Sequence, residues 1–170
     1  LGRRSSRSDE RAFVVEGATL IGEAVAAGWV VDDEFVAPGG APVTVGRVHD
    51  LAPGVLERVA STQHPQPNLA IVAMPPGGGP PALPDDGLIV VADRLADPGN
   101  LGTILRSAEA AGVGAVVLTP GSVDPYNSKV VRASAGAVFH VPVVTATLGE
   151  VAAAGFRRLG TSSHEGTPHT

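Results

Sequence analysis

The segment DPGNLGTILR, residues 97–106, places an amide and a guanidinium just after a turn-forming sequence. Asn100 has the residue type of a helix N-cap, and Arg106 lies four positions after Gly102. Because helical side chains lean toward the N-terminus and Gly102 has no side chain, the Arg106 guanidinium can reach back to the loop. A cation there would stabilise a phosphate or a developing oxyanion. The alternative is a surface arginine paired with Glu109 on its own helix.

A second chemically suggestive segment is SVDPYNSKVVRASAGAVFHVPVV, which begins at residue 122. Lys129, Arg132 and Gly136 have the spacing i, i+3 and i+7, which predicts one cationic face on a helix over 127–138. The small residues at 133–136 predict close approach of another backbone, a ligand or a partner subunit. The alternative is a solvated charged face without a ligand.

The composition limits the classes of protein that this chain can belong to. Its 170 residues carry 44% apolar residues, which is enough for a folded core, and a net charge of −5, which argues against non-specific coating of nucleic acid. The absence of cysteine excludes disulfides and thiolate sites. No apolar run approaches a membrane span and no export signal is evident, so we expect no membrane association and a cytoplasmic location.

Generic catalytic motifs are missing from the sequence. No GxGxxG follows a strand, no GxSxG occurs, and the five histidines lack metal-ligand spacing, so we expect no metal. Eleven of the twelve cations are arginines, a residue type suited to phosphate recognition. Four of them, Arg3, Arg4, Arg7 and Arg11, crowd the first segment. The alternative explanation of the arginine bias is GC-rich codon usage, which also favours Ala, Gly, Val and Pro.

Two halves must position these residues. The segment PPGGGPPALP predicts a linker at 75–84 between an N-terminal half, 1–74, and a C-terminal half, 85–170. In the first half, the apolar patterns predict strands at 12–17, 33–38, 43–48 and 69–74 and helices at 18–29 and 54–60. In the second, they predict strands at 87–95, 114–119, 140–144 and 156–162 and helices at 100–111, 127–138 and 147–154.

The alternation in the second half predicts a mostly parallel sheet with helices on both faces. Ligands of such sheets bind beyond the carboxyl ends of the strands, which is where the Asn100 segment begins. The last predicted strand has no helix after it, which predicts a sheet face that is covered by another subunit or by further residues.

The segments DRLADPGNLGTILRSAEAAGVGAVVL and VDPYNSKVVRASAGAVFHVPVV, in this order, closely resemble the first two signature motifs of the SpoU (TrmH-like) family of RNA ribose 2′-O-methyltransferases, in the SPOUT class. The first half resembles the family's substrate-binding domain. The resemblance implies an α/β protein with a small L30e-like N-terminal domain that binds RNA and a SPOUT methyltransferase domain over 85–170. The family's third motif, which forms a C-terminal trefoil knot, has no counterpart in these residues.

The resemblance also implies an activity, namely transfer of a methyl group from S-adenosylmethionine to a ribose 2′-hydroxyl in structured RNA of the 23S ribosomal type. Asn100 and Arg106 match the family's catalytic positions, and a homodimer is implied. The predicted cofactor-binding residues lie at the last strand and are Leu159, Gly160, Thr161 and Ser162. The predicted RNA-binding residues are Arg3, Arg4, Arg7, Arg11, Lys129 and Arg132.

Two other functions are compatible with the same residues. The chain could be a non-catalytic RNA-binding module that lacks the cofactor half. It could also be a small-molecule α/β enzyme that binds a phosphate at the loop 97–102.

Overall fold

The computed structural model describes residues 1–59, 65–75, 83–84, 87–157 and 159–160. The N-terminal half contains α1 (Arg4–Glu10), β1 (Ala12–Glu16), α2 (Ala18–Ala26), β2 (Val31–Val36), β3 (Arg47–Asp50), α3 (Leu56–Val59) and β4 (Asn68–Ala73). The C-terminal half contains β5 (Ile89–Ala92), α4 (Pro98–Ala110), β6 (Ala115–Leu118), α5 (Ser128–Ala133), a 3-10 turn (Ala137–Phe139), β7 (Val143–Thr145) and α6 (Leu148–Ala153). No helix in the described ranges is long and apolar enough to cross a membrane.

The N-terminal sheet has the order β1-β4-β2-β3. Its central strand β4 is antiparallel to both β1 and β2, whereas β2 and β3 are parallel. Phe13 and Val15 of β1 are fully buried and pack with Ile21 and Ala24 of α2, because alternate strand residues point to the helix-covered face.

The C-terminal sheet is parallel and has the order β5-β6-β7. Val116 of β6 faces the main core and Leu101 of α4, while Val117 faces the other way and packs with Val151 of α6. Helices therefore cover both faces of a parallel sheet, which confirms the predicted fold class. On the α6 face the cover is incomplete at β5, where Val91 is 36% exposed.

Both halves contribute to one hydrophobic core. The Phe13 ring lies 4.8 Å from the Tyr126 ring and 6.4 Å from the Phe139 ring, measured between centroids. Trp29 packs edge-on against Phe139 and donates from Nε1 to the Phe139 carbonyl oxygen (2.9 Å). Most of the predicted linker at 75–84 lies outside the described residues, but these contacts fix the two sheets against each other without it.

The strand predicted at 43–48 begins only at Arg47, because a buried carboxylate captures the backbone that precedes it. Glu34 is fully buried and accepts hydrogen bonds from the backbone N–H groups of Val43 and Thr44, from the Thr44 hydroxyl and from Asn68 Nδ2, at 2.8–3.0 Å. These donors are therefore unavailable to a neighbouring strand. Burial by itself would raise the Glu34 pKa, but the hydrogen bonds outweigh it and hold the pKa below its ordinary value.

The helix predicted over 127–138 ends at Ala133. Ala135 (φ 50°) and Gly136 (φ 102°) adopt left-handed conformations, which interrupt the helix before the 3-10 turn. Lys129, Arg132 and Gly136 therefore do not share one helical face, and this part of the prediction is wrong. Gly136 instead lies against α2, where a Cβ on it would be 3.0 Å from Glu23 Cγ.

The strand predicted at 156–162 is not formed by the residues of that segment that are described. Residues 156–157 and 159–160 have no strand conformation, and Leu159 is 81% exposed. A parallel strand requires cover on both faces, and no described residue covers Leu159.

Candidate functional site

The helix α4 begins at the carboxyl end of the C-terminal sheet. Asp97 is its N-cap: the Asp97 carboxylate accepts a hydrogen bond from the Asn100 backbone N–H (2.7 Å), and Pro98 occupies the first helical position. The prediction that Asn100 caps this helix is therefore wrong, because the preceding carboxylate satisfies the free N–H group. The Asn100 amide is left without a capping role.

Asn100 and Arg106 project from the exposed side of α4. Neither side chain forms a hydrogen bond or ion pair with any residue that the structure describes, and the alternative pairing of Arg106 with Glu109 is absent from this part of the chain. Leu101 and Leu105, fully buried, hold the opposite side of the helix in the core. A rigid helix thus presents an amide and a guanidinium that no group in the described ranges satisfies.

Gly102 has a different role from the predicted one. A Cβ on Gly102 would lie 2.4 Å from the Ala133 Cβ and 2.8 Å from the Ser134 nitrogen, so the space beside it is filled by the end of α5. The Arg106 side chain cannot lie in that space. Ala133 and Ser134 therefore serve a contact within the chain.

The loops that follow β5 and β6 are hydrogen-bonded to each other. The Thr119 hydroxyl donates to Asp93 Oδ1 (2.7 Å) and accepts from the Arg94 backbone N–H (2.8 Å). The Ser122 hydroxyl accepts from the Leu95 N–H (3.2 Å). The loop that leads into α4 is consequently held by two hydroxyl groups that the sequence analysis did not identify.

Arg7 is not available to bind RNA, contrary to the prediction. Its side chain is 7% exposed, and its Nε donates to Asp124 Oδ2 at 2.9 Å. Nη2 donates to the same carboxylate oxygen, and Nη1 donates to the carbonyl oxygens of Leu1 and Gly2. Asp124 Oδ1 in turn accepts from the Tyr126 N–H (2.9 Å), so Arg7 fixes the loop before α5 instead of meeting solvent. Burial and the Asp124 charge also raise the Tyr126 pKa.

The other cations of the first segment remain at the surface. Arg3 precedes α1, and Arg4 Nη1 lies 3.4 Å from the Ser122 carbonyl oxygen, near the β6–α5 loop. Arg11 ends α1 in a left-handed conformation and donates from Nη2 to the Pro75 carbonyl oxygen. These three residues keep exposed side chains, so their proposed contact with RNA is compatible with the structure.

The two cations of α5 have different environments. Lys129 is exposed, and the helix is capped by Asn127, whose Oδ1 accepts from the Lys129 N–H (2.9 Å). Arg132 is half-buried and lines a cavity of about 200 Å³ between β1 and α5, together with Glu16 and Tyr126. Arg132 therefore faces the junction of the two halves.

The predicted cofactor wall is not formed by the described residues. Leu159 and Gly160 are exposed after the end of α6, and Thr161 and Ser162 lie outside the described residues. The residues that are described at this end do not enclose a group of the size of S-adenosylmethionine. Among the described side chains, no three His, Asp or Glu residues gather as a metal site, and the metal-free site stays a prediction.

The chain matches two family models that divide it at the predicted linker. Residues 87–170 match the SpoU rRNA methylase family, and residues 1–70 match the MRM3-like substrate-binding domain. The first match contains Asn100, Arg106 and both loops at the carboxyl ends of β5 and β6.

Two relatives and a solved structure have similarity over most of this chain. The 23S rRNA (guanosine(2553)-2′-O)-methyltransferase RlmP of Bacillus subtilis is 32% identical over 99% of this chain and 70% of its own length. The 23S rRNA (uridine(2479)-2′-O)-methyltransferase of Streptomyces viridochromogenes is 31% identical over 85% of this chain and 54% of its own length. The crystal structure of the SpoU methyltransferase AviRb from the same organism, in complex with the cofactor AdoMet, superposes with a TM-score of 0.78 at 30% identity, covering 90% of this chain and 62% of that one.

The chain thus spans between about half and 70% of the length of these relatives. The agreement in sequence extends through both halves, and the agreement in structure covers 90% of this chain. On this evidence, the chain belongs to the SpoU family of rRNA methylases.

Proposed function

We propose that this protein transfers a methyl group from S-adenosylmethionine to a ribose 2′-hydroxyl of ribosomal RNA, of the 23S type. The relatives in Bacillus and Streptomyces are named for this reaction, and AviRb was crystallised with the methyl donor. The observation that carries the proposal is the exposed Arg106 on α4, in the family's first motif, without a partner among the described residues.

Arg106 acts on the nucleophile in this proposal. A guanidinium has a pKa above about 12, so it is a poor base but a permanent cation. Placed beside the 2′-oxygen, it stabilises the negative charge that develops there as the hydroxyl loses its proton to water. Asn100, whose amide also has no partner in the described part of the chain, orients the ribose or its phosphate. Bound S-adenosylmethionine supplies the electrophilic methyl group.

The RNA is held by both halves. We assign residues 1–74 to substrate binding and 85–170 to the methyltransferase domain, joined by 75–84. Arg3, Arg4, Arg11, Lys129 and Arg132 remain the proposed RNA contacts, and Arg7 is withdrawn. The half-buried position of Arg132 at the junction suits a nucleotide that lies between the two sheets.

Two further features belong to the proposal. The cofactor-binding site would be formed by Leu159, Gly160, Thr161 and Ser162, together with other residues that the structure does not describe. A homodimer would cover the exposed part of the C-terminal sheet at Val91. Sedimentation velocity measures whether the protein is a dimer in solution. The protein acts in the cytoplasm, where cell fractionation would find it.

The proposal is tested by methyl transfer. The product of the whole gene is incubated with tritium-labelled S-adenosylmethionine and fragments of 23S rRNA that carry nucleotide 2553 or 2479. We expect incorporation into one fragment and none into the same fragment made with a 2′-deoxyribose at the target. RNA binding without transfer would instead support the non-catalytic RNA-binding module. Tight binding of a free nucleotide in the absence of RNA would support the small-molecule enzyme.

A further inference from the structure

Arg94 has an unusual backbone conformation for an arginine. It lies two residues beyond the end of β5 and has φ of 48°, in the left-handed region. A side chain with a Cβ is disfavoured there, and glycine is the residue that adopts this conformation freely. The position nevertheless holds a long, charged side chain.

The surrounding loop imposes this conformation. The Arg94 N–H donates to the Thr119 hydroxyl (2.8 Å), and that hydroxyl donates to Asp93 Oδ1 (2.7 Å). On the other side, the Leu95 carbonyl oxygen accepts from the Val123 N–H (2.7 Å), and the Leu95 N–H donates to Ser122. Both peptide neighbours of Arg94 are therefore fixed, so the direction in which its side chain leaves the backbone is fixed as well.

The Arg94 guanidinium has no protein partner among the residues whose structure is described. Arg94 is exposed and forms no hydrogen bond or ion pair through its side chain within the described part of the chain. The two carboxylates of the same loop are engaged elsewhere, since Asp93 binds Thr119 and Asp97 caps α4. Arg7, by contrast, is buried in its ion pair with Asp124.

We propose that Arg94 binds a phosphate of the substrate RNA at the carboxyl end of β5. A strained but fixed backbone with a free cation is typical of a position kept for a ligand. The Arg94 loop leads directly into α4, which carries Asn100 and Arg106, so one RNA chain bound at the start of α4 is the ligand we assign to all three residues. A guanidinium fork matches two phosphate oxygens. The inference rests on the proposed function, because it takes RNA to be the substrate.

The test is RNA binding by Arg94→Gly. Glycine suits a φ of 48°, so the variant keeps its fold and its melting temperature does not fall, while the cation is lost. The probe is a fluorescein-labelled hairpin of 23S rRNA that carries nucleotide 2553, and its anisotropy is measured from 50 to 200 mM KCl. We expect about tenfold weaker binding at 50 mM KCl and a salt dependence (log K against log salt) that is shallower by about 0.8.

Two matched variants make the result specific. Arg157→Gly removes the same charge from the exposed segment after α6, to which the proposal assigns no RNA contact, and should keep the wild-type salt dependence. Arg94→Lys keeps the charge and should retain the slope while losing part of the affinity.

Unchanged affinity and slope in Arg94→Gly would overturn the inference and leave the proposed function intact. A wild-type protein that binds the hairpin with the expected Arg94 dependence but transfers no methyl group would overturn the proposed function alone. Absence of RNA binding by the wild type would overturn both.

Discussion

Gly102 of α4 touches Ala133 of α5 so closely that the two helices meet backbone to backbone. An added Cβ at Gly102 would lie 2.6 Å from the Ala133 carbonyl carbon, and backbone atoms cannot rotate away as a flexible side chain can. This contact joins the helix that carries Asn100 and Arg106 to the helix that carries Lys129 and Arg132. It therefore sets the relative position of the proposed catalytic and RNA-binding residues.

Gly102→Ala should lower the free energy of unfolding by about 2 kcal/mol or more, because the added methyl group overpacks the helix contact. Chemical denaturation measures this change. Gly149→Ala is the matched control, since Gly149 lies in α6 and its added Cβ would meet only Thr147 Oγ1 at 3.7 Å. The control should be neutral or stabilising through helix propensity. Equal stability of wild type and Gly102→Ala would show that the two helices separate readily.

Arg106→Ala should reduce methyl transfer by about 100-fold or more, because the alkoxide loses its stabilising charge. The melting temperature should not change, since Arg106 has no partner among the described residues. Single-turnover assays with the whole gene product measure the rate, and calorimetry measures affinity for S-adenosylmethionine. Glu109→Ala changes an exposed residue of the same helix and should have the methyl-transfer rate of the wild type. Parallel loss of transfer and cofactor affinity would indicate that Arg106 is structural.

Arg7→Ala should cost about 3 kcal/mol of stability, because it leaves the buried Asp124 carboxylate without its cation. Arg3→Ala, at an exposed position, should cost almost nothing. RNA-binding titrations at several salt concentrations should give the opposite ranking of the two variants. Arg3→Ala should flatten the salt dependence of RNA binding, whereas Arg7→Ala, measured under conditions in which it is folded, should not. A flattened slope for Arg7→Ala would return Arg7 to the RNA-binding set.

Glu34→Gln should destabilise the protein most at neutral pH. The folded pKa of Glu34 lies below its ordinary value, so the carboxylate stabilises the fold above pH 4.5 and this contribution is lost as the pH falls through the folded pKa. We expect a deficit of about 1 to 3 kcal/mol at pH 7, since a glutamine cannot accept from all four donors, and a smaller deficit below pH 4. Denaturation at several pH values measures both. Glu57→Gln, exposed on α3, should show no such trend.

The order of most elements could be predicted because it depends on local apolar patterns, whereas the charged helix α1 at Arg4–Glu10 was missed. The predicted bounds of β6 and α4 agree with the observed bounds to within two residues. Both elements are strongly apolar on the faces that they bury, and this pattern is visible in the sequence. The family could be identified for a related reason: the residues around Asn100 and Arg106 form a long, specific motif.

The errors came from contacts that sequence patterns do not record. Arg7 and Asp124 are 117 positions apart, and an arginine cluster has the same pattern whether its members are buried or exposed. The capture of Val43 and Thr44 by Glu34 likewise joins residues whose types alone predict a strand and a surface acid. Ala135 has a left-handed conformation that ends α5 early, and an alanine, unlike a glycine, does not indicate this conformation in the sequence.

The common core of Phe13, Trp29, Tyr126 and Phe139 has a consequence for target choice. Since the two sheets are packed against each other through these rings, the distance between the proposed RNA-binding residues of the N-terminal half and Arg106 is fixed. Under the proposed function, the protein would select the nucleotide that lies at this fixed distance from the RNA feature bound by the N-terminal half. Changing the volume of Phe139 should therefore shift which neighbouring ribose is modified as well as how fast.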